Sequence, residues 1–255
     1  MPTMDKDQAI PRTPRFTEID LLRTIGIVLM IIYHVGYDLS SFFDLPIDPL
    51  SGGWKALQLV TANLFLLLVG VSFALSYDRM TKAGASRFTI CRKYLKQGGI
   101  VLACGMLVTI ATALTVGEEY VRFGVLHLIG VSIILLPLFM PLKEWNVLTA
   151  ALIIAIGWWM PQTPIQTSLL VPFGLKPFGF VSVDYFPLIP WLAAILIGAV
   201  IGNALYNRGL IQMHLPETKW WRQLAAPGRY SLQIYLIHQP ILLGILFGIE
   251  WIGLI

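Results

Sequence analysis

Seven apolar stretches divide this chain, and they decide what it can fold into. They run Ile19–Leu39, Trp54–Tyr77, Gly98–Val116, Val121–Met140, Trp145–Met160, Tyr185–Tyr206 and Tyr230–Ile255. A helix rises 1.5 Å per residue, so ~20 residues cross ~30 Å of hydrocarbon. Most of the stretches reach that length, and the fifth is the shortest. An open sheet cannot span lipid, because its edge amides would go unsatisfied. A barrel needs short alternating segments, and these runs are continuous. The composition agrees. Of 255 residues, 56% are apolar and only 13% charged, where a soluble domain carries about 25% charged residues. The expected fold is therefore all-α: a polytopic membrane helical bundle of about seven transmembrane helices. A cytoplasmic segment, 1–18, precedes one transmembrane domain, 19–255. The net charge of +4 gives no reason to expect nucleic acid as a partner; the lipid bilayer is the first one.

Basic residues set the orientation. Lys6, Arg12 and Arg15 precede the first span. Arg79, Lys82, Arg87, Arg92, Lys93 and Lys96 lie between spans two and three, and Arg208, Lys219, Arg222 and Arg229 between six and seven. The opposite side has only Lys55, Arg122 and Lys176. This asymmetry puts the N-terminus in the cytoplasm and, with seven spans, the C-terminus outside. Residues 161–184, rich in Pro and Gly, should form an outer covering or re-entrant loop. Within 207–229, Trp220 and Trp221 beside Lys219 and Arg222 suit a short interfacial helix. Gly198 and Gly202, four apart in span six, should let a neighbouring helix approach closely, and they leave room for a homo-oligomer.

Charge at membrane depth is costly and marks function by default. The first span carries Asp20, Arg23, His34 and Asp38. At ~100° per residue, Arg23 and His34 fall on one face, ~16 Å apart along the axis. Asp20 shares the stripe one turn earlier. Asp38 lies one turn after His34, where a carboxylate can orient an imidazole and raise its basicity. Asp20 and Arg23 can also simply pair in the headgroup region, and His34 can bond a neighbouring helix.

His127, six residues into span four, sits at a depth matching His34. The two can share an outward-facing site, or His127 can bond a carbonyl next door. Ser231, Tyr235 and His238 line one face of span seven, and Pro240 should kink that helix. His238 and Gln239 read as polar packing. His214 lies in a cytoplasmic loop and reads as solvated. Arg87, Arg92, Lys93 and Lys96 can hold phosphates, although the positive-inside rule asks for them with no ligand at all. No HExxH, CxxC or Cys/His cluster suggests zinc, so no metal is expected. A haem between His34 and His127 would rest on that one pair of histidines.

The segment RFTEIDLLRTIGIVLMIIYH (15–34) resembles the first helix of the large membrane-bound acyltransferase superfamily, in whose best-known O-acyltransferase family an Arg, ten residues and a His form the signature. Here these are Arg23 and His34. YFPLIPWLAAILIGAVIGN (185–203) and GRYSLQIYLIHQPIL (228–242) look like the compact prokaryotic branch related to heparan-alpha-glucosaminide N-acetyltransferase. The resemblance covers nearly the whole chain from Arg15 onward. It implies transfer of an acyl group, usually acetyl, from cytoplasmic acyl-CoA to a hydroxyl or amine beyond the membrane. The lysosomal enzyme's catalytic His comes from the luminal loop after the first span. Ser40–Gly53 here contains no His, so His34 is carried over from the Arg-x10-His pattern alone.

Under that reading His34, Asp38 and His127 are the catalytic candidates, with His127 or Arg122 stabilising an oxyanion. Arg23, Arg87, Arg92, Lys93, Lys96 and His238 are the candidates for holding acetyl-CoA or another acyl-CoA. Arg122, Asp184 and Trp191 would meet an extracytoplasmic glycan or amino-sugar acceptor. The protein would sit in a prokaryotic cytoplasmic membrane. The competing reading is a small transporter or channel-like protein without catalysis; it predicts an inverted repeat or paired broken helices, and neither is visible by eye.

Overall fold

In the computed structural model, residues 16–161, 164–209 and 218–253 are described. His214, Lys6, Arg12, Arg15 and most of the 1–18 segment lie outside them. Helices make up most of the described residues, loops join them, and the only β pairing among the described residues is two isolated bridges. The helices are α1 Thr17–Phe43, α2 Gly52–Lys82, α3 Arg87–Thr115, α4 Val125–Phe139, α5 Asn146–Trp159, α6 Leu188–Gly202, α7 Lys219–Leu224 and α8 Ser231–Trp251. The short interfacial helix expected around Trp220 and Trp221 is α7. Much of the outer surface is apolar: Leu107, Leu114 and Trp158 are 62%, 83% and 92% exposed. A surface of this kind is stable facing lipid and would aggregate in water.

Six helical stretches are long and apolar enough to cross a membrane, and one of them is the continuous run Val125–Trp159. That run is a hairpin. Lys143 breaks it with φ 50° and ψ −120°. The two arms then pack in opposite senses. Gly98 and Gly105 of α3 meet Gly130 and His127 of α4, and Gly157 near the end of α5 meets Ile189 and Pro190 at the start of α6. The start of α4 lies beside the start of α6, where Phe123 bridges Tyr185. Hence α4 and α5 are antiparallel arms of that one run, and counting the arms separately brings the six stretches among the described residues to the seven expected.

Glycines set a very close contact between α2 and α6. A Cβ on Gly70 of α2 would lie 2.0 Å from the Ile195 carbonyl oxygen, and one on Gly198 would lie 2.1 Å from that of Leu67. Gly202 meets the backbone of Val71. The small residues expected to admit a neighbour therefore admit α2, backbone against backbone. Around this seam lies the main core, with Leu66, Phe73, Leu128, Leu136, Ile195 and Leu196 fully or almost fully buried.

Two helices complete the bundle differently. α1 packs against α2, and α8 packs chiefly against α1. Gly228, just before α8, abuts the Asp20 carbonyl, and its N–H donates to Thr24 Oγ1 at 2.9 Å. Farther along, Phe43 meets Phe247 at 5.1 Å between ring centroids. α1 and α8 thus run parallel. α8 continues through Pro240 to Trp251, so the proline expected to kink it does not end it.

Candidate active site

The parallel pairing of α1 and α8 brings four polar side chains together between them. His34 and His238 meet edge to face, with ring centroids 4.7 Å apart and planes at 81°. His34 Nδ1 lies 2.8 Å from the Met30 carbonyl oxygen, and His238 Nδ1 lies 2.6 Å from that of Tyr235. A carbonyl oxygen only accepts, so each Nδ1 carries the proton. Both neutral rings then present a bare Nε2, the atom a base or nucleophile needs. Asp38 is fully buried. Its Oδ1 accepts from Gln239 Nε2 at 2.6 Å.

Asp38 therefore lies one turn from His34, as its spacing requires, but its recorded bond is to Gln239. The Met30 carbonyl fixes the His34 tautomer. Three atoms here are buried without a hydrogen-bond partner: Asp38 Oδ2, His238 Nε2 and Gln239 Oε1. Buried polar atoms are nearly always satisfied. Three such orphans cluster at one imidazole pair.

His127 stands apart from this pair. Gly124 N–H donates to its Nδ1 at 3.2 Å, and its Nε2 lies 3.4 Å from Thr109 Oγ1. An Nδ1 that accepts leaves the proton on Nε2, the opposite tautomer from His34. Both nitrogens are engaged in closing the first turn of α4 against α3. Asp184 serves the same helix end, with Oδ2 accepting from Val125 N–H at 3.0 Å. Burial raises its carboxyl to about 6, against the opposing pull of the Val125 N–H.

Arg122 lies over the rings of Tyr120 and Phe180, at 4.8 and 5.5 Å from their centroids. It lines a recess of about 320 Å³ between α3 and the 161–184 loop, with Thr109, Tyr120 and Ser168. Trp191 packs on Phe186 in the core. Arg122 and Asp184 thus cluster at the start of α4, and Trp191 sits one layer deeper.

At the opposite end, Arg23 donates to Ser72 Oγ at 2.6 Å and to Asp20 Oδ1 at 3.3 Å. Arg229 forms a second ion pair with Asp20 at 3.5 Å. Lys93 reaches Ser76 Oγ at 2.8 Å. Ser72 and Ser76 are one turn apart, so Arg23 from α1 and Lys93 from α3 converge on one face of α2. Arg87, Arg92 and Lys96 point outward, exposed.

The fold and this site define a multi-pass membrane protein with a polar centre in its helical core. The family model for the catalytic region of heparan-alpha-glucosaminide N-acetyltransferase matches residues 15–240. The chain belongs to that family, and membership points to membrane acetyltransferase chemistry. No protein with a curated description matches the chain.

The sequence puts His34 and Asp38 one turn apart but does not reveal Gln239 as the partner of Asp38. It leaves open whether His34 shares a site with His127, and the ring that His34 meets is His238. One signal was available. His238 and Gln239 are adjacent polar residues in an apolar helix, and such residues seek a partner across the interface.

Proposed function

We propose that the protein moves an acyl group, acetyl in the first instance, from cytoplasmic acyl-CoA to a hydroxyl or amine of a sugar acceptor on the other side of the membrane. The N-terminus then lies in the cytoplasm, in keeping with the excess of basic residues at that end. The observation that carries this reading is the His34–His238 pair with two bare Nε2 atoms, set beside the orphaned Asp38 Oδ2 and Gln239 Oε1.

The donor's phosphates are held at the basic end, on Arg23 and Lys93, with Arg87, Arg92 and Lys96 drawing the anion in. The pantetheine arm lies along α1, whose Arg23 and His34 are ~16 Å apart on one face. His34 Nε2 takes the proton of the acceptor hydroxyl or amine as that atom attacks the thioester carbonyl. Coenzyme A leaves as the thiol. Attack by Nε2 itself, through an acyl-histidine, is the alternative order of events. Asp38 and Gln239 accept hydrogen bonds from the guest, and His238, packed edge to face on His34, fixes the plane of that ring. The acceptor enters from the recess lined by Arg122, near Asp184 and Trp191.

Thiol release tests this. Purified protein with acetyl-CoA and a panel of amino sugars and glycans should liberate free coenzyme A, and His34→Ala should abolish it while the protein stays folded. Full turnover by His34→Ala would exclude the catalytic assignment. A wild type that neither binds nor cleaves acyl-CoA would favour the transporter.

A further inference from the structure

A second cavity lies on the other face of α2 from Ser72 and Ser76. It has a volume of about 140 Å³ and is lined by Tyr77 and Asp78 of α2, Lys143 and Asn146 of the α4–α5 turn, and Asn203 and Asn207 beyond α6. Tyr77 is five residues, or ~140° around the helix, from Ser72. The cavity is therefore separate from the path between Arg23 and His34.

Three independent features meet at this cavity. Asn146 is 1% exposed, and its Nδ2 donates to the Phe139 carbonyl at 2.9 Å, yet its Oδ1 is buried with no partner. Residues Asn203–Asn207 form a π-helical turn, a feature frequent at functional sites. Lys143 holds a positive φ of 50°, a conformation that costs a non-glycine residue about 1 kcal/mol or more.

We propose that this cavity binds a phosphate ester carrying a primary ammonium, and that its source is the phosphoethanolamine headgroup of a membrane lipid. The lining matches such a group in sign and in hydrogen bonding. Asn146 Oδ1 needs a donor, and an ammonium has three. Asp78 adds a carboxylate, bridged to Lys82 at 2.7 Å. Lys143 supplies a cation for the phosphate, and the Tyr77 hydroxyl supplies a donor. A wholly anionic ligand would leave Asn146 Oδ1 facing another acceptor. A trimethylammonium headgroup carries the charge but has no N–H to give. The lipid source follows from what flanks the cavity. Leu138, Leu142 and Trp145 of the same turn are 71%, 43% and 69% exposed. They present an apolar surface with an interfacial tryptophan, where acyl chains lie.

The test is thermal unfolding of the detergent-purified, delipidated protein with four additives. These are phosphatidylethanolamine, phosphatidylglycerol, phosphatidylcholine and soluble glycerophosphoethanolamine. Phosphatidylethanolamine should raise the melting temperature by about 5 °C, at least twice the effect of the others. Asn146→Leu should lose that preference. Because Asn146 also ties the turn to Phe139, Lys143→Gly is the companion variant. Glycine accepts the positive φ, so its lipid-free melting temperature should hold while at least half of the phosphatidylethanolamine shift disappears. Equal shifts from all three lipids would overturn the proposal, as would an undiminished phosphatidylethanolamine shift in Lys143→Gly. An equal shift from the soluble headgroup would overturn the lipid as occupant.

Discussion

Gln239 of α8 donates to Asp38 of α1 through a 2.6 Å hydrogen bond that joins residues 201 positions apart. Both lie in the apolar interior, and α8 has few other attachments to the bundle. A hydrogen bond to a charged group contributes about 1.5–3 kcal/mol, and stranding the buried partner costs more than losing the bond itself. Gln239→Leu should therefore lower stability by about 2 kcal/mol or more. Because His238 immediately precedes Gln239 on α8, thiol release should fall as well. Gln239→Asn, which keeps the amide but shortens the reach, should be intermediate in both. A thermal melt beside the thiol assay reads this out.

The seam between α2 and α6 gives a second expectation. Gly70→Ala would put a carbon 2.0 Å from a backbone oxygen, and the neighbour is helix backbone that cannot swing aside. Overpacking of this kind costs at least about 1–3 kcal/mol. Expression and size-exclusion profiles should show a destabilised or unfolded protein. Gly99→Ala is the matched control, since nothing lies within 4 Å of its added carbon. It should stabilise α3 by about 0.5–1 kcal/mol.

Asp184 predicts a pH dependence. Its carboxyl is raised from 3.8 to about 6 in the fold. A raised folded-state value means that the protonated form is favoured by folding. The stabilisation is complete below about pH 4 and disappears as pH rises through about 6. Asp184→Asn keeps an acceptor for Val125 N–H but cannot ionise. The melting temperature of the variant relative to wild type should rise from pH 4 to 6 and level off above that. A difference that stays constant over this range would contradict the assignment.

His127 behaves as a helix cap in this structure. Losing a cap costs about 0.5–2 kcal/mol. His127→Ala should show that loss as a lower melting temperature, whereas His34→Ala should leave the melting temperature nearly unchanged and remove thiol release. A thermal melt of the two variants side by side separates the roles.

Hydropathy made the crossings legible because lipid demands continuous apolar segments, but it marked the hydrocarbon layer rather than the helix ends. α3 begins at Arg87, well before the apolar stretch at Gly98. Ser86 caps it by accepting from Thr89 N–H at 3.2 Å, and the basic turns continue the helix beyond the lipid. α4 starts later than expected because Gly124 and the pairing of Phe123 with Tyr185 hold the preceding residues extended. The stripe of Arg23 and His34 was readable from helical periodicity alone. The choice of His238 as the partner of His34 was not. It depends on α8 lying parallel to α1, a tertiary fact that no local pattern encodes. The same holds for Asn146, whose burial follows from the fold-back at Lys143.

The glycine seam also constrains how the molecule can open. Where main chains touch directly, sliding would drive carbonyl oxygens into each other, so α2 and α6 must travel as one piece. α8 meets α1 through side chains, but just before it Gly228 presses its main chain on the Asp20 carbonyl in the same way. Any parting of the two helices beside the paired imidazoles therefore has to begin at the side-chain contacts farther along α8, away from that pinned end.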